Sequence, residues 1–165
     1  MDINLASKRA LVCGSSQGIG RACALELASL GASVTLFSRS QEKLTAVQQE
    51  LCTAQGQSHQ NLIADFSNPE QVNQVIIADV AKNGGYDILI NNTGGPAPGP
   101  ASTSDVNAFI DAFNLHLVTN HHLVQALLPT MKENQFGRII NVISTSVKQP
   151  IPGLGVSNTI RGAVA

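Results

Sequence analysis

The chain has 165 residues, enough for one domain with a sizeable core. Its composition, 43% hydrophobic and only 13% charged, is that of a soluble globular protein, and a net charge of −1 leaves no footprint for nucleic acid or an anionic membrane. No apolar run approaches a membrane span, Met1-Asp2-Ile3-Asn4 lacks a signal peptide's basic start, and Cys13, Cys23 and Cys52 show no C-x-x-C spacing, so a cytoplasmic location is expected.

Ala10 to Val12 reads as a strand that feeds a turn with three glycines, Gly14, Gly18 and Gly20, and Ala22 to Leu30 reads as the helix that follows. Such a turn gathers backbone N–H groups at the positive end of a helix dipole, where a pyrophosphate could sit. Glycine suits it because the backbone conformation is unusual and a Cβ would hold a ligand away. Gly31 ends the helix, and Ser33 to Phe37 is the second strand. Ser40 then caps a helix over Gln41 to Ala54, with Leu44, Val47 and Leu51 on one buried face and Gly56 as its stop. Gln60 to Ala64 is a third, weaker strand, followed by Asp65. Asn68-Pro69-Glu70 opens a helix carrying Val72, Val75, Ile76 and Val80, which ends near Asn83-Gly84-Gly85.

Asp87 to Ile90 is the fourth strand, apolar on both faces and therefore expected to be central. The proline- and glycine-rich run from Asn91 to Pro100 is a stiff covering loop. A long helix is expected from Ser104 to Lys132, bent near Pro129. Gly137 to Ile143 is the fifth strand, Pro150 to Gly155 a loop, and Ser157 begins another helical stretch. This alternation predicts a doubly wound parallel α/β sheet with helices on both faces, in one domain over 1–165. The special loops, Gly14 to Gly20, Ser38-Arg39, Asp65, Asn91 to Gly95 and Ser144, all follow strands. They are expected to crowd one edge of the sheet as a ligand site.

The spacing of Gly14, Gly18 and Gly20, the Asn91-Asn92-Thr93-Gly94 run and Gly137-Arg138-Ile139-Ile140-Asn141-Val142 together resemble the short-chain dehydrogenase/reductase family. The resemblance implies a Rossmann-type fold in which Gly14, Ser15, Ser16, Gly18, Ile19 and Gly20 hold a dinucleotide. It also implies that Asp65 and Phe66 meet the adenine and that Asn91, Thr93 and Gly94 line the cofactor channel. An NAD site of this kind would want a carboxylate at the end of the second strand. Ser38 and Arg39 stand there instead and suit a 2′-phosphate, which points to NADP; the alternative for Arg39 is a solvated loop arginine.

Relatives transfer hydride with a Ser, a Tyr and a Lys, aided by an Asn on the long helix. Ser144 falls at the serine position, but Ser157 replaces the tyrosine, Arg161 the lysine and His116 the asparagine. The only tyrosine, Tyr86, lies before the fourth strand, at its wrong end. A serine hydroxyl cannot act as the same acid, whereas a fixed guanidinium can still bind ribose or stabilise an oxyanion. His116 is read either as a substitute proton donor near neutrality or as a polar residue beside the cleft. His121 and His122 point to different sides of a helix, so no metal site is expected.

The loop from Thr93 to Gly99 and the Ser-x-x-x-Arg site resemble a divergent branch labelled 3-oxoacyl-(acyl-carrier-protein) reductase-like. The implied function is NADP-dependent reduction of a small-molecule carbonyl by hydride transfer, with a 3-oxoacyl thioester as the candidate substrate; the alternative is a catalytically weak or silent NADP(H)-binding sensor or structural partner. The long helix resembles the one through which relatives form homodimers or homotetramers. Gly162 to Ala165 ends inside an apolar helical pattern, which would leave Ile139, Ile140, Val142 and Ile143 on an open edge. The last strands of the sheet are therefore expected to be missing from this sequence, the alternative being an oligomer that covers the edge.

Overall fold

A computed structural model of the protein describes residues 3–165; the Met1-Asp2 start, read above for its lack of a basic leader, lies outside them. Five strands, β1 (Arg9–Cys13), β2 (Ser33–Ser38), β3 (Gln60–Ile63), β4 (Ile88–Asn91) and β5 (Arg138–Asn141), form one sheet in the order β3-β2-β1-β4-β5. All pairings are parallel. The order reverses at β1, so the crevice between the carboxyl ends of β1 and β4 is the topological switch point.

Strand alternation sorts the core into two layers. Ala10 and Val12 face one side, where Ala24 and Ala28 of α1 (Gly18–Ser29) and Leu44 and Val47 of α2 (Gln41–Glu50) cover them. Leu11 and Cys13 face the other, against Val72 and Ile76 of α3 (Pro69–Asn83) and Leu123 and Leu127 of α5 (Thr119–Glu133). Each fully buried Leu or Ile contributes roughly 1.5–3 kcal/mol relative to exposure. β5 is the edge strand among the described residues, and Ile139, Ile140 and Ile143 stay exposed there, while Val142 packs partly against the first layer.

Several boundaries differ from those expected. α1 begins at Gly18, because the glycine turn itself supplies the first helical residues. α2 stops at Glu50: Leu51 turns extended, with ψ 135°, and reaches the core from outside the helix, so its apolar spacing looked helical without being so. β5 is shorter than expected, and β4 starts one residue later. The long helical run starts at Val106 in α4 (Val106–Phe113), where Asp105 caps it by accepting the Asn107 N–H at 2.6 Å. Its irregularity is a wide π turn over Asn114–Val118; Pro129 lies within α5, which continues to Glu133. The last helix, α6 (Gly155–Val164), begins two residues before Ser157. Asn68 and Pro69 open α3 as expected, with Asn68 Oδ1 accepting from Gln71 N–H at 3.1 Å.

At the amino ends of the strands, Tyr86 is fully buried and donates to Asp79 Oδ2 at 2.5 Å. Gln60 and Asn83 also donate to Asp79, and Arg9 stacks over the Tyr86 ring. Tyr86→Phe would leave a buried carboxylate oxygen without its best donor. The expected outcome is a loss of about 1–3 kcal/mol of unfolding free energy, read from urea denaturation; an unchanged midpoint would show that this bond adds nothing net.

Candidate functional site

β1 runs into its turn because Gly14 N–H donates to Phe37 O at 2.8 Å, tying the turn to β2. Gly14 has φ +58°, and a Cβ on it would lie 2.5 Å from Asn92 O. A Cβ on Gly20 would strike the Gly14 carbonyl. Asn92, from the loop after β4, closes the junction by donating through Nδ2 to Cys13 O at 3.3 Å and Gly14 O at 3.4 Å. Gln17 precedes α1 without a side-chain cap, and no acid stands in its first turn. The leading N–H groups of the helix are thus free for an anion.

These elements surround a cleft of about 520 Å³ at the carboxyl ends of the strands. Gly14, Ser16, Gly18 and Ile19 line it from the turn, Ser38 and Arg39 from the end of β2, Asp65 and Phe66 from beyond β3, and Thr93 and Gly94 from beyond β4. Ser15, Gly20 and Asn91 are buried and do not line it. Ser15 Oγ accepts the Phe37 N–H at 2.9 Å, so its role is to bind the turn to β2. Asn91 Nδ2 donates to Asn141 Oδ1 at 2.8 Å across the β4–β5 pair. Gln17, Asn92 and Gly95, within the loops expected to crowd this edge, also line the cleft, as do Ser67 and Leu115, which were not singled out from sequence.

Charges of both signs border the cleft. Arg39 is exposed at the rim. Asp65 lies below the usual carboxylate range, chiefly because Ser67 donates to it, its N–H at 2.9 Å, and also because Arg39 is near. Phe66 packs edge-on against Phe37, with ring centroids 4.9 Å apart, and forms an apolar wall.

A second group of residues meets beside Thr93. The π turn carries His116 into the interior, where it is 1% exposed, and its Nδ1 lies 2.8 Å from Thr93 Oγ1. Arg161 of α6 is 9% exposed; its Nη1 donates to Val142 O at 2.9 Å, drawing α6 onto the end of β5. Burial, and then the Arg161 charge, push His116 down to about 4, so the imidazole is neutral at pH 7. The expectation of a group titrating near neutrality is corrected accordingly. Ser144 Oγ accepts the Ser146 N–H at 3.1 Å and caps the short helical turn Thr145–Val147, and Ser157 lies half-buried in the first turn of α6. No hydrogen bond among the described residues joins Ser144 or Ser157 to His116 or Arg161. Tyr86, at the far end of β4, has its pKa raised by burial and then by Asp79, and is no substitute acid. Four of the five buried side-chain atoms without a partner among the described residues are Asn91 Oδ1, His116 Nε2, Ser146 Oγ and Arg161 Nε. All four belong to segments at the carboxyl ends of β4 and β5, so unused hydrogen-bonding capacity concentrates where the loops converge.

The family model described as short chain dehydrogenase matches residues 8–164. An uncharacterized oxidoreductase of Mycobacterium tuberculosis is 33% identical over 162 residues, covering 98% of this chain and 61% of that protein. Inactive hydroxysteroid dehydrogenase-like protein 1 of Homo sapiens is 32% identical over 147 residues, covering 88% of this chain and 44% of its own length. Among solved structures, a 3-oxoacyl (acyl-carrier-protein) reductase from Agrobacterium tumefaciens with NADP bound superposes with a TM-score of 0.90 at 28% identity, over 99% of this chain and 62% of that one. Other solved neighbours are complexes with NADPH or NADP. The chain thus spans between 44% and 62% of the length of these three proteins. Among the described residues no helix is long and apolar enough to cross a membrane.

The buried imidazole sets a pH dependence. Unfolded, His116 takes a proton near its ordinary value of 6.5; folded, it refuses it until about 4. Between those values the unfolded state binds more protons, so its contribution is complete above pH 6.5 and is lost as pH falls towards 4, by up to about 3 kcal/mol. Urea unfolding of His116→Asn is expected to weaken less than wild type between pH 7 and pH 5; equal slopes would contradict the shift.

Proposed function

The chain belongs to the short-chain dehydrogenase family, and from that premise we propose that its cleft binds NADP(H) in a protein that reduces a small-molecule carbonyl. The observation that carries this reading is the convergence of the glycine turn, the free start of α1 and Ser38-Arg39 on one cleft. The residues fit the cofactor. The turn is held open by two glycines where a Cβ would collide, as close approach to a pyrophosphate requires. The end of β2 offers a hydroxyl and a guanidinium rather than the carboxylate that would repel a 2′-phosphate.

In this reading the amides of Ser16 to Ile19, at the start of α1, hold the pyrophosphate, while Ser38 and Arg39 hold the 2′-phosphate. Asp65 and Phe66 meet the adenine, and Thr93 and Gly94 flank the channel with Asn91 supporting them. NADPH, when bound, supplies the hydride for the carbonyl carbon. Ser144 orients the carbonyl oxygen, and Arg161, a fixed cation, holds ribose hydroxyls and offsets charge developing on that oxygen. The proton comes from Ser157 through water, from the cofactor's ribose, or through the neutral His116 ring. A 3-oxoacyl thioester is the substrate class suggested by the resemblance of the loop after β4. The second reading, a weak or silent NADP(H)-binding partner, is favoured by Ser157 and Arg161 standing in place of the Tyr and Lys.

Self-association as a homodimer or homotetramer is part of the proposal. Val106, Ile110 and Phe113 are 70%, 51% and 42% exposed and form one stripe along α4, a surface of the kind buried between subunits.

The cofactor reading is tested by titrating NADPH and NADH separately into the protein. Arg39→Ala is expected to weaken NADPH about 10- to 100-fold, the worth of a charge-assisted phosphate contact, and to leave NADH unchanged. Turnover of a β-keto thioester that falls about 100-fold in Ser144→Ala, the scale of one lost donor to a developing oxyanion, would support the reductase. Tight binding without turnover on a broad carbonyl panel would favour the silent partner, and absence of NADPH binding would sink both. Separately, Ile110→Glu is expected to shift the sedimentation of the protein towards monomer; an unchanged oligomer, or a monomeric wild type, would place the stripe outside any interface.

A further inference from the structure

We infer that Thr93 is the oriented hydroxyl donor of the cleft and that His116, backed by Arg161, is the positioning residue that sets its polarity. This rests on the reading of the cleft as a nucleotide site for the identity of the acceptor, and on the burial and hydrogen-bond geometry of His116 for the polarity.

A threonine hydroxyl has one proton. With His116 Nδ1 at 2.8 Å, Thr93 Oγ1 either donates to the ring, leaving only lone pairs for a ligand, or accepts from Nδ1–H and keeps its own proton. The tautomer of His116 decides between these arrangements. The ring is buried and neutral at pH 7, so it carries one proton on one nitrogen. Its other nitrogen, Nε2, is buried without a protein partner, and the ring feels the positive charge of Arg161.

That guanidinium offers only donors and makes no salt bridge among the described residues, and burial lowers its pKa from the ordinary arginine value. One of its nitrogens is engaged by the Val142 carbonyl, while its Nε–H is free of protein acceptors. Nε2 has no acceptor among the described residues, and a buried N–H without an acceptor is costlier than a buried lone pair, so the favourable tautomer leaves Nε2 unprotonated; the Arg161 charge likewise opposes a further proton on the ring. The proton therefore resides on Nδ1 and is donated to Thr93 Oγ1. The Thr93 O–H is left to donate into the cleft that this residue lines. Its acceptor is a ribose hydroxyl or phosphate oxygen of the dinucleotide. The π turn over Asn114–Val118 is the local device that carries the ring to this position.

Ring ¹⁵N spectra of His116 in the ligand-free protein at pH 7 read the polarity directly. The expected result is a protonated Nδ1 and an unprotonated Nε2. In NADPH titrations Thr93→Val is expected to lose about tenfold in affinity, the scale of one hydrogen bond, while Thr93→Ser keeps it. His116→Phe is expected to lose a similar factor, and His116→Asn, which can present an amide N–H to Thr93, to regain it. A wild-type ring protonated on Nε2, or Thr93→Val binding NADPH as wild type does, would overturn the inference. A wild-type protein that shows the Nδ1–H ring but binds no NADPH would overturn the nucleotide reading instead and leave the polarity standing.

Discussion

Two stretches of backbone, the turn after β1 and the loop after β4, meet at a distance that no Cβ permits. Gly14 abuts the Asn92 carbonyl, and Gly20 abuts Gly14 itself. Because these positions lack side chains, α1 starts almost at the end of β1, and its unsatisfied N–H groups face the crevice between β1 and β4. Asn92 then fastens the two stretches together through the Cys13 and Gly14 carbonyls. The crevice and the free helix end follow from this contact.

The other defining feature is a buried guanidinium that no carboxylate neutralises among the described residues. Burying a cation without a counter-ion is costly, and one carbonyl contact offsets it only in part. The rest of the corner has adapted to that charge: the imidazole beside it is neutral, and its remaining nitrogen is left unpaired. Arginine and serine therefore do not reproduce a tyrosine–lysine pair in altered form. In the proposed reading they give the site a buried cation and no phenol.

Much of the architecture was legible because local chemistry and tertiary packing agree. Ser40 and Asn68 cap helices where they were expected to, and the strands of alternating or wholly apolar character fall within one or two residues of their expected positions, β5 being the shortest relative to its apolar run. Legibility failed where a residue satisfies the core by another route. Leu51 continues the periodicity of α2 yet is buried from extended backbone, and Pro129 looks like the weak point of a helix whose departure from regularity lies around His116. Neither outcome is encoded in spacing, since both depend on what the segment packs against.

The candidate site divides in the same way. The residue types, their order and their placement after strands determined that Gly14, Ser38, Arg39, Asp65 and Thr93 would share one edge of a parallel sheet, because parallel crossovers bring every strand's carboxyl end to the same side. What tertiary structure alone decided is the environment of each group: that Ser15 and Asn91 turn inward to hold strands together, that Asn92 closes the turn, and that His116 is buried against Thr93. Proton affinity and hydrogen-bond direction depend on burial and on charges distant in sequence, and only the folded chain brings those together.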